Sequence, residues 1–239
     1  MLTMIHSRQY NIDTGYVDKN KRLRLSNLFL MFQEIAEEHA EILGIGKDKV
    51  IEAGRKWIIT RHGVKINRLP SFGEKVTLYT YPGKYNPFFL YRHFYLKDKD
   101  DNILLTAISI WAVLDAKTNK IIVNPFDVKL PEGHQDFELS VPSKIEDDPK
   151  NKVKDYVIQY SDIDLNGHLN NTRYLELVQN VHDSSFYLNH EFASVLINYF
   201  SEIKEGETVN LYSDLSDKQE IIKGSVNDRD CFKAIITYK

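Results

Sequence analysis

Apolar residues recur at positions 25, 28, 29, 32, 35, 36, 42 and 43. That is the spacing of a helix with one buried stripe, and Gly44 and Gly46 supply its stop. The period then changes. Residues 57–67 alternate, Gly73-Glu74 turns the chain into 76–81, and the runs 88–96 and 103–114 flank Asp98-Lys-Asp-Asp-Asn102, a hairpin connection. The pattern predicts one helix followed by an antiparallel meander that closes near Asn124.

Residues 125–150 differ in character: Pro125, Pro131, Pro142 and Pro149 sit among many charges with few apolar runs, as in a connection lying over a surface. Beyond it the plan repeats. Residues 156–160 read as a strand, 169–188 as a helix, and 193–200, 208–214, 219–226 and 231–238 as strands. Gly73-Glu-Lys-Val-Thr-Leu-Tyr79 echoes Gly206-Glu-Thr-Val-Asn-Leu-Tyr212, and Ile66 then falls opposite Tyr199. A repeat of about half the chain is a duplicated domain rather than a solenoid. The predicted class is α+β: two tandem units, 1–124 and 151–239, joined by 125–150. Each sheet wraps a helix, and the two sheets join edge to edge, which removes exposed strand edges.

Composition agrees with a packed, sheet-rich chain: of 239 residues, 42% are hydrophobic, with fourteen Tyr and twelve Phe. The net charge of −3 gives no general reason to expect nucleic acid or an anionic membrane. Arg55, Lys56, Arg61, Lys65 and Arg68 form a local basic region, read first as a solvated face. Cys231 is the only cysteine, so no internal disulfide can form. The first residues lack the apolar stretch of a signal peptide, and no segment approaches the roughly 20 apolar residues of a membrane span. A soluble, cytoplasmic protein is expected.

The duplication also serves as an internal control. Aligning the predicted helix starts sets residues 24–32 opposite 164–172. Leu28, Leu30, Met31 and Phe32 then face His168, Asn170, Asn171 and Thr172. A helix start that is apolar in one unit and polar in the other suggests a site, because buried polar groups are costly unless bonded. A helix beginning at 166–168 would offer unpaired N–H groups to a thioester carbonyl, with Asp164 favoured as an anion at that end. Asp164 can serve as base or nucleophile, Asn166 can orient substrate or water, and His168 can polarise, shuttle a proton or hold Asp164. The bland alternatives are an N-cap for Asp164, turn residues for Asn166 and Gly167, and a structural role for His168. No Gly-x-Ser-x-Gly elbow, nucleotide-binding glycine loop or metal-ligand spacing occurs, so neither metal nor cofactor is expected.

Asp164-Leu-Asn-Gly-His-Leu-Asn-Asn-Thr-Arg-Tyr174 resembles the D-x-N-x-H-x-N-N-x-x-Y signature of the acyl-ACP thioesterases, plant fatty-acid-releasing enzymes and their bacterial relatives. Arg22-Leu-Arg-Leu-Ser26, Trp57, Ile66-x-Arg68-x-Pro70-x-x-Gly73-Glu74 and Ser109-x-Trp111 follow the same family in order, so the resemblance spans residues 10–238. It implies a double hot-dog fold, a cofactor-free thioester hydrolase in fatty acid synthesis, and acyl carrier protein with its phosphopantetheine-linked chain as partner. It also implies catalytic roles for Asp164, Asn166 and His168, and for Glu202 in Tyr199-Phe-Ser-Glu202. Plant members carry a cysteine after that glutamate where this chain has Ile203, which points to a carboxylate-centred site and leaves Cys231 as a buried structural thiol. Three outcomes remain in competition: acyl-ACP hydrolysis, acyl-CoA hydrolysis on the same fold, and non-hydrolytic acyl binding. Monomer and homodimer are both compatible with the sequence.

Overall fold

The computed structural model describes residues 5–126 and 140–239. Residues 127–139 of the predicted connection, with Pro131, lie outside the described residues. Among the described residues ten strands build one antiparallel sheet: β1 (His6–Asn11), β2 (Arg55–Ile66), β3 (Lys75–Tyr85), β4 (Leu90–Asp98), β5 (Ile103–Asp115), β6 (Lys152–Val157), β7 (Phe192–Tyr199), β8 (Thr208–Ser216), β9 (Gln219–Val226) and β10 (Arg229–Tyr238). Their order is β1-β3-β4-β5-β2-β7-β10-β9-β8-β6. Each half is thus the mirror in order of the other, and the seam is the β2–β7 pair, in register from Arg61↔Asn198 to Lys65↔Ser194. Two hot-dog units share a continuous sheet, and the seam strands that would be edges are paired.

Helix α1 (Leu25–Ile42) lies in the curve of the first unit. Its stripe, including Leu25, Leu28, Phe29, Phe32 and Ile35, is buried as the spacing predicts. Gly44, with φ +74°, ends it: Gly44 N–H donates to Glu41 O and Ile45 N–H to Ala40 O, a Schellman stop that needs the left-handed residue. A short helix α2 (Lys47–Glu52) follows.

The second unit departs from the expected single helix over 169–188. It has α3 (Arg173–Gln179) and a one-turn α4 (Phe186–Asn189). Side-chain acceptors break the helix at both ends of α3. Asn170 Oδ1 takes the Thr172 N–H at 2.9 Å, and Asp183 Oδ1 takes those of Ser185 and Phe186 at 2.8 and 3.2 Å. Such local bonds give the backbone an alternative to helix. The strand expected at 156–160 starts earlier, at Lys152, and gives way to a 3-10 turn at Tyr160–Asp162.

Described residues of the connection cross the outer face of the sheet at the seam. Pro142 sits on Gly63, where a Cβ would lie 2.9 Å from its ring. Asn198 fixes the same strap, accepting from Ile145 N–H at 3.0 Å and donating to Ser143 O at 3.2 Å. Asp148 then pairs with Lys223 at 2.6 Å. Lysines at that contact hold the Asp148 carboxyl below the usual carboxylate range. Most of the expected basic region is also used internally: Arg55 and Arg61 donate to the carbonyls of Pro125 and Pro142, and Arg68 pairs with Glu74 and Asp98.

Candidate active site

Residues 163–169 form a tight turn that precedes α3, not the start of a helix. Ile163 and Leu169 make an antiparallel bridge. Asp164 N–H donates to His168 O at 2.8 Å, Gly167 N–H donates to Asp164 O at 3.0 Å, and Gly167 takes φ +80°. The Asp164 carboxylate faces back into this turn. Its Oδ1 accepts the N–H groups of Asn166 (2.8 Å) and His168 (3.3 Å), and its Oδ2 accepts Asn166 Nδ2 at 3.1 Å. The amides expected to be free at 166–168 are therefore occupied. Among the described residues the Asn171 N–H has no hydrogen bond, and Asn171 lines the cavity described below.

An equivalent turn stands in the first unit. Val17 bridges Leu23, and Asp18 Oδ1 accepts Asn20 N–H at 2.8 Å and Arg22 N–H at 3.1 Å. Lys21 holds the left-handed position with φ +60°. The structural counterparts are therefore Asp18 and Asp164, Asn20 and Asn166, Arg22 and His168; the gapless pairing of residues 24–32 with 164–172 is out of register. The next layer confirms the pairing. Leu23 N–H donates to Pro70 O as Leu169 N–H donates to Ile203 O, and Gly73 N–H to Ile12 O as Gly206 N–H to Ile158 O. Glu202 consequently corresponds to Leu69.

His168 and Glu202 meet. Nε2 of His168 lies 3.2 Å from Glu202 Oε2, and Lys56 Nζ lies 3.2 Å from Glu202 Oε1. The glutamate is half exposed and the histidine a quarter exposed, so both are accessible from the cavity mouth. In the first unit Arg22 turns to Glu191 at 3.3 Å and Leu69 offers no acid. Lys56 belongs to the site by geometry, but in sequence it is one more charge in a basic run. Cys231 is buried and free, and burial pushes its thiol up.

Asp164, Asn166, His168 and Glu202 all line one cavity of about 1490 Å³. Its far walls come from the first unit: Ala36 and Ala40 of α1, Val50 of α2, Trp57 and Ile59 of β2, Leu90 of β4 and Trp111 of β5. Arg92 also faces it, its guanidinium 3.1 Å from His39 Nδ1 and 3.3 Å from Thr80 Oγ1. Burial lowers the Arg92 pKa to about 10. In the second unit the corresponding space is packed with rings: Phe186 stacks between His182 (3.7 Å) and His190 (3.8 Å), against Tyr187 and Tyr238. Among the described residues, no group of three or more His, Cys, Asp or Glu is placed to hold a metal ion.

A cavity of about 1490 Å³ walled by one hot-dog unit and lined at its mouth by a polar turn of the other defines a fused double hot-dog protein. The N-terminal domain model of the acyl-ACP thioesterases matches residues 3–128 and the C-terminal domain model residues 145–234, so the chain belongs to the acyl-ACP thioesterase family. An acyl-ACP thioesterase of Bacteroides thetaiotaomicron superposes with TM-score 0.93 at 23% identity, over 99% of this chain and 98% of that one. The 12:0-ACP thioesterase of Umbellularia californica superposes with TM-score 0.84 at 18% identity, over 100% and 98%. A chloroplastic palmitoyl-acyl carrier protein thioesterase of Cuphea hookeriana is 20% identical over 83% of this chain and 52% of its own length. The chain spans about half the length of the curated relatives it matches. No helix among the described residues is long and apolar enough to cross a membrane.

Proposed function

We propose that this chain hydrolyses fatty acyl thioesters carried on acyl carrier protein, releasing the free acid in fatty acid synthesis. The reading rests on the 3.2 Å contact between His168 and Glu202 at the mouth of the acyl-sized cavity. The first unit, 1–124, supplies the acyl pocket and the second, 151–239, the reacting groups, with 125–150 connecting them. Glu202 takes a proton from water, water oxygen bonds to the carbonyl carbon, and the C–S bond breaks to release the carrier thiolate. His168 orients Glu202, accepts from it the proton taken from water and passes a proton on to the departing sulfur. The Asn171 N–H supports the carbonyl oxygen as it gains charge. Asp164 holds the turn that aims His168, and the Asn166 amide oxygen, not used within the turn, faces water or substrate.

The cavity rim suits a carrier protein. Tyr160 and Leu165 stand 83% and 95% exposed beside Lys204 and Arg229, offering apolar and basic contacts together. Thiol release measured on matched acyl-ACP and acyl-CoA tests the proposal. Higher kcat/KM on acyl-ACP is expected; equal or better turnover of acyl-CoA would move the assignment to a CoA thioesterase. Bound acyl chain without thiol release on either would make it a binding protein.

A further inference from the structure

Two side-chain polar atoms among the described residues are buried with no hydrogen-bond partner: Nε2 of His62 and the hydroxyl of Tyr199. Both residues line one small chamber of about 20 Å³. A single water needs about 10–15 Å³ of such space, so the chamber has room for one oxygen-sized group. It is a side branch of the acyl cavity, with Gln33, Ile59, Trp111, Asn171 and Tyr199 lining both. Asn171 and Tyr199, both from the second unit, line both spaces.

The duplication shows that neither polar group is required by the fold. With Gly73 opposite Gly206, His62 corresponds to Val195 and Tyr199 to Ile66, both buried aliphatics at 1% and 4% exposure. The β2–β7 register agrees, since Val64 pairs with Val195 and His62 with Ile197. Two core positions on the inner face of the seam have thus turned polar on the cavity side. Their surroundings leave them unsatisfied: Phe29, Phe32 and Phe94 surround the His62 ring, with centroids 4.5 to 5.8 Å away. Ser109 Oγ already accepts the Trp111 indole N–H at 2.7 Å. Orphaned buried polar atoms call for a partner.

We propose that this chamber is a subsite for a neutral oxygen on the acyl chain, a hydroxyl or keto group, and that His62 and Tyr199 determine specificity for oxygenated acyl thioesters. This rests on the thioesterase reading and narrows its substrate class. Burial lowers the His62 pKa to about 3 and raises that of the Tyr199 hydroxyl, so both stay uncharged near neutrality and suit a neutral oxygen rather than an anion. A site built to bond a substrate hydroxyl discriminates against the chain that lacks it, because its own polar groups are then left unpaired.

Calorimetric binding to the whole chain tests this with free fatty acids of one chain length, unsubstituted or with a hydroxyl moved stepwise along the chain. One hydroxy isomer is expected to bind about tenfold tighter than the unsubstituted acid, as one recovered buried hydrogen bond allows. His62→Val, which copies the residue of the other half, and Tyr199→Phe should each remove that preference while holding the unsubstituted acid within about twofold. A wild type that binds no hydroxy isomer better than the plain acid, or variants that weaken both acids alike, would overturn the proposal and leave the chamber to water. Thermal unfolding checks each variant, and if one does not fold the other carries the test. Failure of thiol release from acyl-ACP would strike the hydrolysis reading alone and leave the binding comparison intact.

Discussion

The two halves of this molecule hold the same turn and use it differently. Asp18 and Asp164 accept equivalent backbone N–H groups, yet only the second turn presents a histidine to a glutamate; the first presents Arg22 to Glu191 and keeps Leu69 where Glu202 stands. What the halves share is scaffold, and what differs marks chemistry. By that measure the aspartate braces a turn in both halves, and the proposed chemistry rests on the His168–Glu202 contact. Deeper in each unit the contrast recurs with opposite charge. Arg92 bonds His39 and Thr80 beside an open cavity, while the corresponding Glu220 bonds His182 at 2.8 Å, Tyr238 at 2.6 Å and the Ser213 hydroxyl in a space filled with rings. One half has kept a pocket and the other has packed it shut.

Substitutions at matched positions sharpen this contrast. The largest expected effect is on turnover: His168→Ala should lower kcat for acyl-ACP by about 10²-fold or more, as removing a positioned acid–base group does. Arg22→Ala, its counterpart, should stay within about twofold, since an exposed ion pair contributes little; equal losses would break the comparison. Asp164→Ala should cost turnover nearly as much as His168→Ala, through a loosened turn, whereas Asp18→Ala should leave kcat unchanged and lower the melting temperature.

Stability separates the buried clusters. Glu220→Ala strips three hydrogen bonds from a fully buried carboxylate site and should destabilise by about 3–5 kcal/mol in chemical denaturation, because His182, Ser213 and Tyr238 lose their shared acceptor. A last effect is a pH slope. Because burial lowers the His62 pKa from 6.5 to about 3, the folded state resists a proton that the unfolded chain accepts. The His62 contribution is fully present above pH 6.5 and is lost as pH falls toward 3, at up to about 1.4 kcal/mol per unit. His62→Val should fall less steeply than wild type over that window; parallel slopes would mean that His62 is not held neutral.

Much of this was legible in the sequence. The stripe of α1 and the alternating strands follow from apolar spacing, and the Gly73 and Gly206 heptapeptides locate the duplication. The polar run 164–172 is conspicuous in the sequence, but the structure corrects its register. Aligning apolar stripes placed it on a helix, whereas side-chain acceptors at Asp164 and Asn170 hold it as a turn; the shared Asp-x-Asn of 18–20 and 164–166 was the better anchor. β1 passed unread because only Tyr10 is buried along its length, so its pattern carries little hydrophobic signal. Lys56 and Arg92 reach the cavity, and His62 the small chamber beside it, only through sheet register, which no local pattern encodes.

The central claim, that the chemistry lies in the His168–Glu202 pair and the aspartate serves the turn, is tested most directly by single-turnover thiol release from acyl-ACP with Glu202→Gln and Asp164→Asn side by side. An asparagine can still accept the turn's N–H groups, so Asp164→Asn should keep activity within about tenfold of wild type, while Glu202→Gln should lose about 10²-fold or more. An inactive Asp164→Asn beside an active Glu202→Gln would contradict the account.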